Sequence, residues 1–272
     1  MFIAAFRCLA ALVPGASWRR SYVGLHQLNR GLDMNMRDQD SSNLREELLP
    51  FVIRRAVNED DLLKAVDIRH RAYDRHVPEF AASLRVPESA DYDDGALVLL
   101  AEAKLDGSPL GTMRIQTNSH SPLRLEESVT LPSWLEGTSQ AEATRLGVDQ
   151  SAIGRLVRIA LYKAYYFYCI EADIDWMVIT ARKPLDQLYE SLMFQDVIPG
   201  GTLVPMHHVG NMPHRVMAFS VQDAFAKWAA VKHPLFTFVF QTTHPDIRLS
   251  DIAGPRFAYR RGREKARPAL NA

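Results

Sequence analysis

The apolar positions of the chain change period several times, and each change marks an element. FVIRRAV, beginning at Phe51, is a short run of strand character. Asn58 then stands where a helix N-cap belongs, with Asp61 at the capping-box position in place of Glu. Leu62, Leu63, Val66, Ile68 and Tyr73 follow at approximately helical spacing. Asp91–Gly95 is an acidic, turn-rich loop. The runs ALVLLAEAKL and PLGTMRIQT come next, joined by Asp106-Gly107-Ser108, and Asp-Gly between such runs signals a β-hairpin. Residues 118–140, with Pro122 and Pro132, read as a long excursion.

AEATRLGV is then a strand, and SAIGRLVRIALYKAYYFYCIEA is a long helix with Ser151 as its N-cap. DWMVITA is a buried strand, and PLDQLYESLMF is a helix with Pro184 in its first turn. TLVPMHHV and HRVMAFSV are late strands, followed by a helix at Gln222–Lys232 and the apolar run LFTFVF. The order β-α-(α)-β-β-β-α-β-α-β-β predicts a mixed α/β sheet with a β-α-β-α crossover in its second half. The polar residues 33–48 read as a linker, and no internal repeat is visible.

Composition narrows the class. The 272 residues are 47% hydrophobic and 24% charged, ordinary for a soluble globular chain of one large domain with extensions or two small ones. Thirty-two basic residues balance 32 acidic ones, which argues against a nucleic-acid binder. That balance averages an acidic body and basic ends, and the ends suit an acidic protein partner or peripheral contact with an anionic membrane. Two cysteines, Cys8 and Cys169, exclude a disulfide framework and a cysteine zinc site, and a reducing, cytoplasmic setting fits best. Met1–Val13 is apolar except for Arg7. A secretory signal would carry its charge ahead of the apolar run, so an interfacial helix, or initiation at Met34 or Met36, is read at least as readily.

Three segments hold candidate chemistry: LYESLMF (Leu188 to Phe194), EATRLGV (Glu142 to Val148) and PLGTMRI (Pro109 to Ile115). RHRAY (Arg69–Tyr73) and ADYDD (Ala90–Asp94) are weaker. With the order of elements, these make the chain resemble the GNAT acyltransferase superfamily over about residues 51–220. Within it, the chain looks most like the long-chain N-acyl amino acid synthases and the related acyl-homoserine lactone synthases. The resemblance implies a GNAT-like α/β (α+β) fold whose mixed, mostly antiparallel central sheet is flanked by helices. Residues 1–48 would then be a flexible N-terminal extension, 49–221 the acyltransferase domain, 222–247 a C-terminal helical extension and 248–272 a basic tail.

The resemblance also implies roles. GNAT enzymes carry L-Y-x-x-L-G-F, which LYESLMF matches with Met193 in place of glycine, and this implies Tyr189 as general acid for the departing thiolate. A phenol is protonated at neutral pH and can donate as charge builds on sulfur. The lactone synthases carry E-x-S-R-F-x-V, matched here with Leu146 in place of the aromatic, which implies Glu142 as base or base-orienting residue and Arg145 as an acceptor-binding group. An amino acid's amine is mostly ammonium at neutral pH, and a carboxylate can take its proton through water. Glu142 and Arg145 have opposite strand parity, which a β-bulge would relax. G-x-x-R-L implies Arg114, a fork suited to an acceptor carboxylate. The weaker segments imply Arg71, Asp91 and Asp94 as substrate-binding residues.

On the donor side, coenzyme-A-dependent members place R/Q-x-x-G-x-G/A before the long helix to hold pyrophosphate. Here Asp149-Gln150-Ser151-Ala152-Ile153-Gly154 keeps only the final small-x-Gly, and Asp149 would repel pyrophosphate. This favours an acyl-phosphopantetheine thioester on an acyl carrier protein over acyl-coenzyme A. Gly154 would remain at the donor site, and Arg155 and Arg158 would face the acidic carrier. The expected activity is transfer of a fatty acyl chain to the amine of an amino acid or related acceptor. An ordinary coenzyme-A-dependent acetyltransferase and a silent GNAT-like module binding carrier or lipid are the alternatives. The tyrosines of the long helix read as core before acyl pocket, and no metal site is expected, because adjacent His207 and His208 in a strand point oppositely.

Overall fold

A computed structural model describes residues 44–248 and 250. The expectations for Met1–Val13, for Cys8 and for nearly all of the 248–272 tail lie outside these residues. The elements, in chain order, are β1 (Arg45–Glu46), β2 (Phe51–Arg55), α1 (Glu59–Asp74), α2 (Pro78–Ala81), β3 (Ala96–Ala103), β4 (Pro109–Thr117) and β5 (Gln140–Val148). Then follow α3 (Ala152–Glu171), β6 (Trp176–Ala181), α4 (Leu185–Ser191), β7 (Gln195–Asp196), β8 (Val204–Met206), β9 (Met212–Ser220), α5 (Ala224–Ala230) and β10 (Thr242–Thr243). The main sheet runs β2-β3-β4-β5-β6-β9-β7, with β8 on β9. Its one parallel pair is β5–β6, which α3 connects, and its other neighbours are antiparallel.

Local signals explain much of this. The Asn58 side chain accepts the Asp61 N–H at 2.9 Å and caps α1, whose first turn is acidic as the helix dipole favours. Asp61 does not close the expected capping box. Its carboxylate instead accepts the Val57 N–H and a two-point bond from Arg54 at 2.6 and 2.7 Å. The Asp106-Gly107 turn forms the β3–β4 hairpin, with Gly107 at φ 70° and the Asp106 carboxylate accepting from the Ser108 N–H. Ser151 occupies the α3 N-cap, but its side chain makes no capping bond.

Helix α3 lies on the apolar face of the sheet, and Tyr162, Tyr165, Tyr166 and Tyr168 are core residues. Tyr165 has a positional role: its hydroxyl donates to the Ala141 carbonyl of β5 and accepts the Val178 N–H of β6. The parallel pair is thus pinned where it is still paired. Pairing covers Gln140–Ala143 against Trp176–Ile179 and then ends. Beyond that point β5 pairs with β4 alone, and Thr180 and Ala181 pair with β9 alone. A bulge on β5 sits in the diverging stretch: Thr112 faces Gly147 and Arg114 faces Thr144, so Arg145 and Leu146 together oppose Met113. Arg145 has φ 54°. The extra residue and its added twist turn β5 away from β6.

The ends of the body differ from their expected outline. Arg45–Glu46, within the expected flexible extension, pairs in parallel with Thr242–Thr243. The 222–247 segment, expected as helical, holds α5, a π-helical turn at Thr237–Gln241 and β10. It packs into the core: Trp228 is fully buried and stacks on Tyr162 at 5.7 Å. The Lys163 ammonium of α3 donates to the Phe238 and Thr242 carbonyls and to His244 Nδ1, satisfying its three N–H groups. The expected strand over His207–His208 is instead a 3₁₀ turn, His207–Val209, closed by Gly210 at φ 68°.

Helix α4 ends in a Schellman motif. The Phe194 N–H bonds the Tyr189 carbonyl and the Met193 N–H bonds the Glu190 carbonyl, at 3.0 and 2.9 Å. The Phe194 and Tyr189 rings make the accompanying apolar contact, 5.3 Å between centroids. Met193 takes the left-handed position at φ 70°, where glycine is favoured. The motif therefore closes without its usual glycine, at a cost of about 1–2 kcal/mol. Met193→Gly is expected to exceed Met193→Ala in stability by about 1 kcal/mol in urea unfolding, because both lose the side chain and only glycine relieves the backbone.

Candidate active site

Where β5 and β6 part, a cavity of about 390 Å³ opens. Its walls are the C-terminal end of α1, β5 from Ala143 to Val148, the end of β6, α4 and the hairpin of β8 and β9. Arg75 closes one side by donating to the Val148 carbonyl at 2.9 Å. Five arginines line the cavity: Arg75, Arg145, Arg155, Arg158 and Arg182. Tyr189 also lines it, and burial pushes its phenol well up from the ordinary value, so it stays protonated.

Behind the β5 wall lies a buried charge cluster. Arg69 forks onto Asp91 with both bonds at 2.9 Å. Arg145 forks onto Glu88 with both bonds at 2.6 Å and also donates to the His208 carbonyl at 2.8 Å. Arg114 reaches both carboxylates at 3.1 Å. The three guanidinium side chains are at most 4% exposed. Burial alone would raise the Glu88 and Asp91 carboxyls, but the bonds and charges of these arginines outweigh it and hold both below the usual range. Gly147 lets α1 approach β5: a Cβ there would lie 3.1 Å from the Arg69 Cα.

Glu142 is a different carboxylate in the same neighbourhood. It faces Gln116 across the β4–β5 pair, on the same sheet face as Arg114 and Thr144. The bulge brings Arg145 to that side, which reconciles the opposite parity of Glu142 and Arg145. Glu142 is 0% exposed. Its Oε2 accepts the Leu125 N–H at 3.2 Å, and its Oε1 accepts no bond among the described residues. The excursion of residues 118–140 is thus ordered and supplies a donor, from a 3₁₀ turn at Arg124–Glu127. Burial pushes Glu142 up to about 7, against the Leu125 bond and the charges of Arg114 and Arg145. Glu142 does not itself line the cavity, whereas Ala143 and Thr144 do.

Several expected site residues lie elsewhere. Arg71 is exposed and pairs with Asp67 at 2.9 Å. Two residues are about 200° around a helix, so Arg69, on the face of Leu62, Ala65 and Ala72, is the inward arginine of that segment. Asp94 is exposed in its turn, and Asp91 is the buried acid. Gly154 is not at the cavity: a Cβ there would lie 1.8 Å from the Asp149 carbonyl oxygen, so close backbone packing explains it. Asp149 turns its carboxylate to the Ser151 N–H at 2.8 Å. The Arg145 fork expected to hold an acceptor carboxylate is occupied by Glu88.

The sequence reading missed Arg69, Glu88, Arg182 and His208. Arg69 was discoverable as a charge on an apolar helix face, while Glu88 has no local signal. His208 lines the cavity, and burial together with the charges of Arg145, His214, Arg114 and Arg124 brings its imidazole down to about 3, so it is neutral. Among the described residues, no group of His, Cys, Asp and Glu could hold a metal ion, and no helix is long and apolar enough to cross a membrane.

The two kinds of carboxylate predict opposite pH effects. Glu88→Ala, which strands guanidinium charge, is expected to cost about 3–5 kcal/mol of stability. Asp94→Ala, at an exposed turn, should change it by under about 0.5 kcal/mol. Glu88 and Asp91, with lowered values, contribute stability above the unfolded carboxylate pKa that is lost as pH falls through their folded values. Glu142 has the reverse sign: its contribution is full below 4.5 and is lost as pH rises to about 7. Glu142→Gln is expected to gain on the wild type across that window, by on the order of 3 kcal/mol. Chemical unfolding at pH 5 and pH 8 checks this, and a constant difference would contradict it.

Comparison with known proteins bears on what this site is for. Residues 64–220 match the model of the family described as N-acyl amino acid synthase FeeM. No curated protein matches the chain in sequence. Among solved structures, FeeM, an N-acyl amino acid synthase from uncultured soil microbes, is similar at a TM-score of 0.52 and 19% identity, covering 69% of this chain and 97% of that one. The coenzyme-A-dependent acyl-homoserine lactone synthase BjaI gives 0.47 and 16%, covering 76% and 96%. A GNAT-family acetyltransferase from Staphylococcus aureus Mu50 gives 0.41 and 12%, covering 63% and 99%. The FeeM likeness carries the fold, and the family match extends over more than half of the sequence. The chain belongs to the N-acyl amino acid synthase FeeM family and is an N-acyltransferase.

Proposed function

We propose that the protein moves a fatty acyl chain from an acyl carrier protein thioester to the amine of an amino acid or related acceptor. One observation carries this reading: the cavity where β5 and β6 part is lined by Tyr189 and by arginines, and Glu142 is buried one residue behind its Ala143–Thr144 wall. A phosphopantetheine arm enters such a gap as an extended chain. On this reading Arg155, Arg158 and Arg182, which line the cavity, meet the acidic surface of a carrier.

In the proposed reaction the acceptor nitrogen attacks the thioester carbonyl carbon in a ternary complex. Its ammonium proton passes through water to Glu142, which is set behind the wall rather than in contact with the cavity. A carboxylate with a value of about 7 is suited to take a proton near neutral pH. Backbone N–H groups of the Arg145–Leu146 bulge stabilise the tetrahedral oxyanion. The C–N bond is then complete, the C–S bond breaks as the carbonyl re-forms, Tyr189 gives its proton to the thiolate sulfur, and the second proton shed by the new amide nitrogen restores the phenol. Arg145 and Arg114, committed to Glu88 and Asp91, act on the acceptor by shaping and charging the wall.

Coenzyme A is the competing donor, because the same arginines could meet its phosphates. Acyl transfer with purified protein, long-chain acyl carrier protein or acyl-coenzyme A, and mixed amino acids decides between them. Arg155→Glu with Arg158→Glu is expected to raise KM for the carrier-bound donor more than for the coenzyme A thioester, and equal effects would count against the carrier. Glu142→Gln is expected to lower kcat by about 10²-fold or more. The wild-type rate should rise with pH through about 7, the direction for a base that must be ionised. Tyr189→Phe should slow an alkyl thioester but not an aryl thioester, whose thiolate departs without a proton.

A further inference from the structure

The β8–β9 hairpin places two imidazoles in the cavity wall, His208 and His214. They differ in commitment. His214 is buried, and its Nδ1 bonds the Met212 carbonyl at 2.8 Å, so that ring is anchored by its own strand. His208 is held only through its main chain, where its carbonyl accepts from Arg145. Neither ring nitrogen of His208 bonds another described residue, and Nδ1 is shut off from solvent with no partner. A buried polar atom left unpaired is a standing cost, and an apolar residue of similar size would fill the position without it. His207, next in the chain, is exposed and contributes its N–H to Ser128, so the turn itself does not depend on the His208 ring.

The chemistry of the reaction indicates what the ring meets. The cavity is shared by an acyl thioester and an amine. A nucleophilic amine must keep its lone pair for the carbonyl carbon, which leaves its N–H groups to be satisfied by the wall. The nearby arginine forks are donors without acceptor capacity, and two of their carboxylates are already taken up by them. Tyr189 is a protonated phenol needed at sulfur. A neutral imidazole supplies one lone pair, on whichever ring nitrogen the tautomer leaves unprotonated.

We propose that His208 is the acceptor-binding residue, accepting a hydrogen bond from the N–H of the attacking amine and orienting its lone pair toward the thioester carbonyl. This rests on the acyl-transfer reading given above. The ring orients the amine and does not take its proton, which still passes to Glu142. The hairpin of β8 and β9 thereby sets which amines are placed productively.

The test combines kinetics with binding. His208→Phe, which fills the space without a lone pair, is expected to raise KM for the amino-acid acceptor about tenfold or more. KM for the acyl donor and the thermal midpoint should stay near wild type. His208→Asn or His208→Gln, whose amide oxygens replace one nitrogen or the other, should restore acceptor KM in part. An acceptor KM within twofold of wild type in His208→Phe overturns the proposal, and so does a parallel rise in donor KM, which would indicate a collapsed cavity. The second arm needs no turnover: imidazole resonances of the folded full chain, assigned to His208 by their loss in His208→Gln, are followed as an equimolar mixture of the twenty standard amino acids is added. A shift confined to His208 supports the proposal, and its absence overturns it. If the wild type acylates no amine yet His208 responds, the acyl-transfer reading fails and the amine contact stands.

Discussion

The conformation of Arg145 is the constraint on which the site depends. An arginine at φ 54° occupies a backbone region that disfavours a side chain. It is held there by two 2.6 Å bonds to Glu88 and a third to the His208 carbonyl. Through that bulge β5 turns away from β6, immediately after Tyr165 has pinned the two strands together. The same local event opens the cavity and brings Arg145 to the side of the sheet that holds Glu142 and Arg114. Pin, bulge and ion pair come from α3, β5 and the loop before β3, so the site belongs to the packed domain rather than to any one segment.

Charge is divided within this small volume. Glu88 and Asp91 are each grasped by guanidinium forks and stay ionised, while Glu142, one backbone bond aside, is held by burial near the point of protonation. Burial acts on all three in the same direction, and bonding decides the outcome. A buried ion cluster contributes modestly to net stability because desolvation offsets attraction. Its value here lies in fixing a rigid wall with Glu142 behind it. In the proposed reaction, that placement requires a proton to reach Glu142 through water rather than by direct contact.

The body is closed by segments far apart in sequence. The Arg45–Glu46 strand pairs with Thr242–Thr243, and the Lys163 ammonium binds the turn that precedes it. Sequence boundaries near residues 49 and 221 therefore mark changes in pattern and not the edges of the packed unit. Trp228, beyond the second boundary, stacks on Tyr162 of α3 and donates to the Leu192 carbonyl at the end of α4.

The sequence by itself determined the order of the main strands and helices, the Asp106-Gly107 hairpin, the Asn58 cap, and the placement of Glu142 and Arg145 on β5 and of Tyr189 on α4. All of these depend on residues a few positions apart, where period, turn chemistry and capping act. Tertiary structure decided that Arg69 rather than Arg71 enters the site, that Glu88 occupies the Arg145 fork, and that Glu142 stands behind the cavity wall. It also decided that Gly154 serves backbone packing and that the 118–140 excursion supports Glu142. Glu88 and Arg145 are 57 residues apart, and Leu125 and Glu142 are 17 apart. No local pattern encodes such partners, because burial selects them only when the sheet, its bulge and the covering helix have assembled.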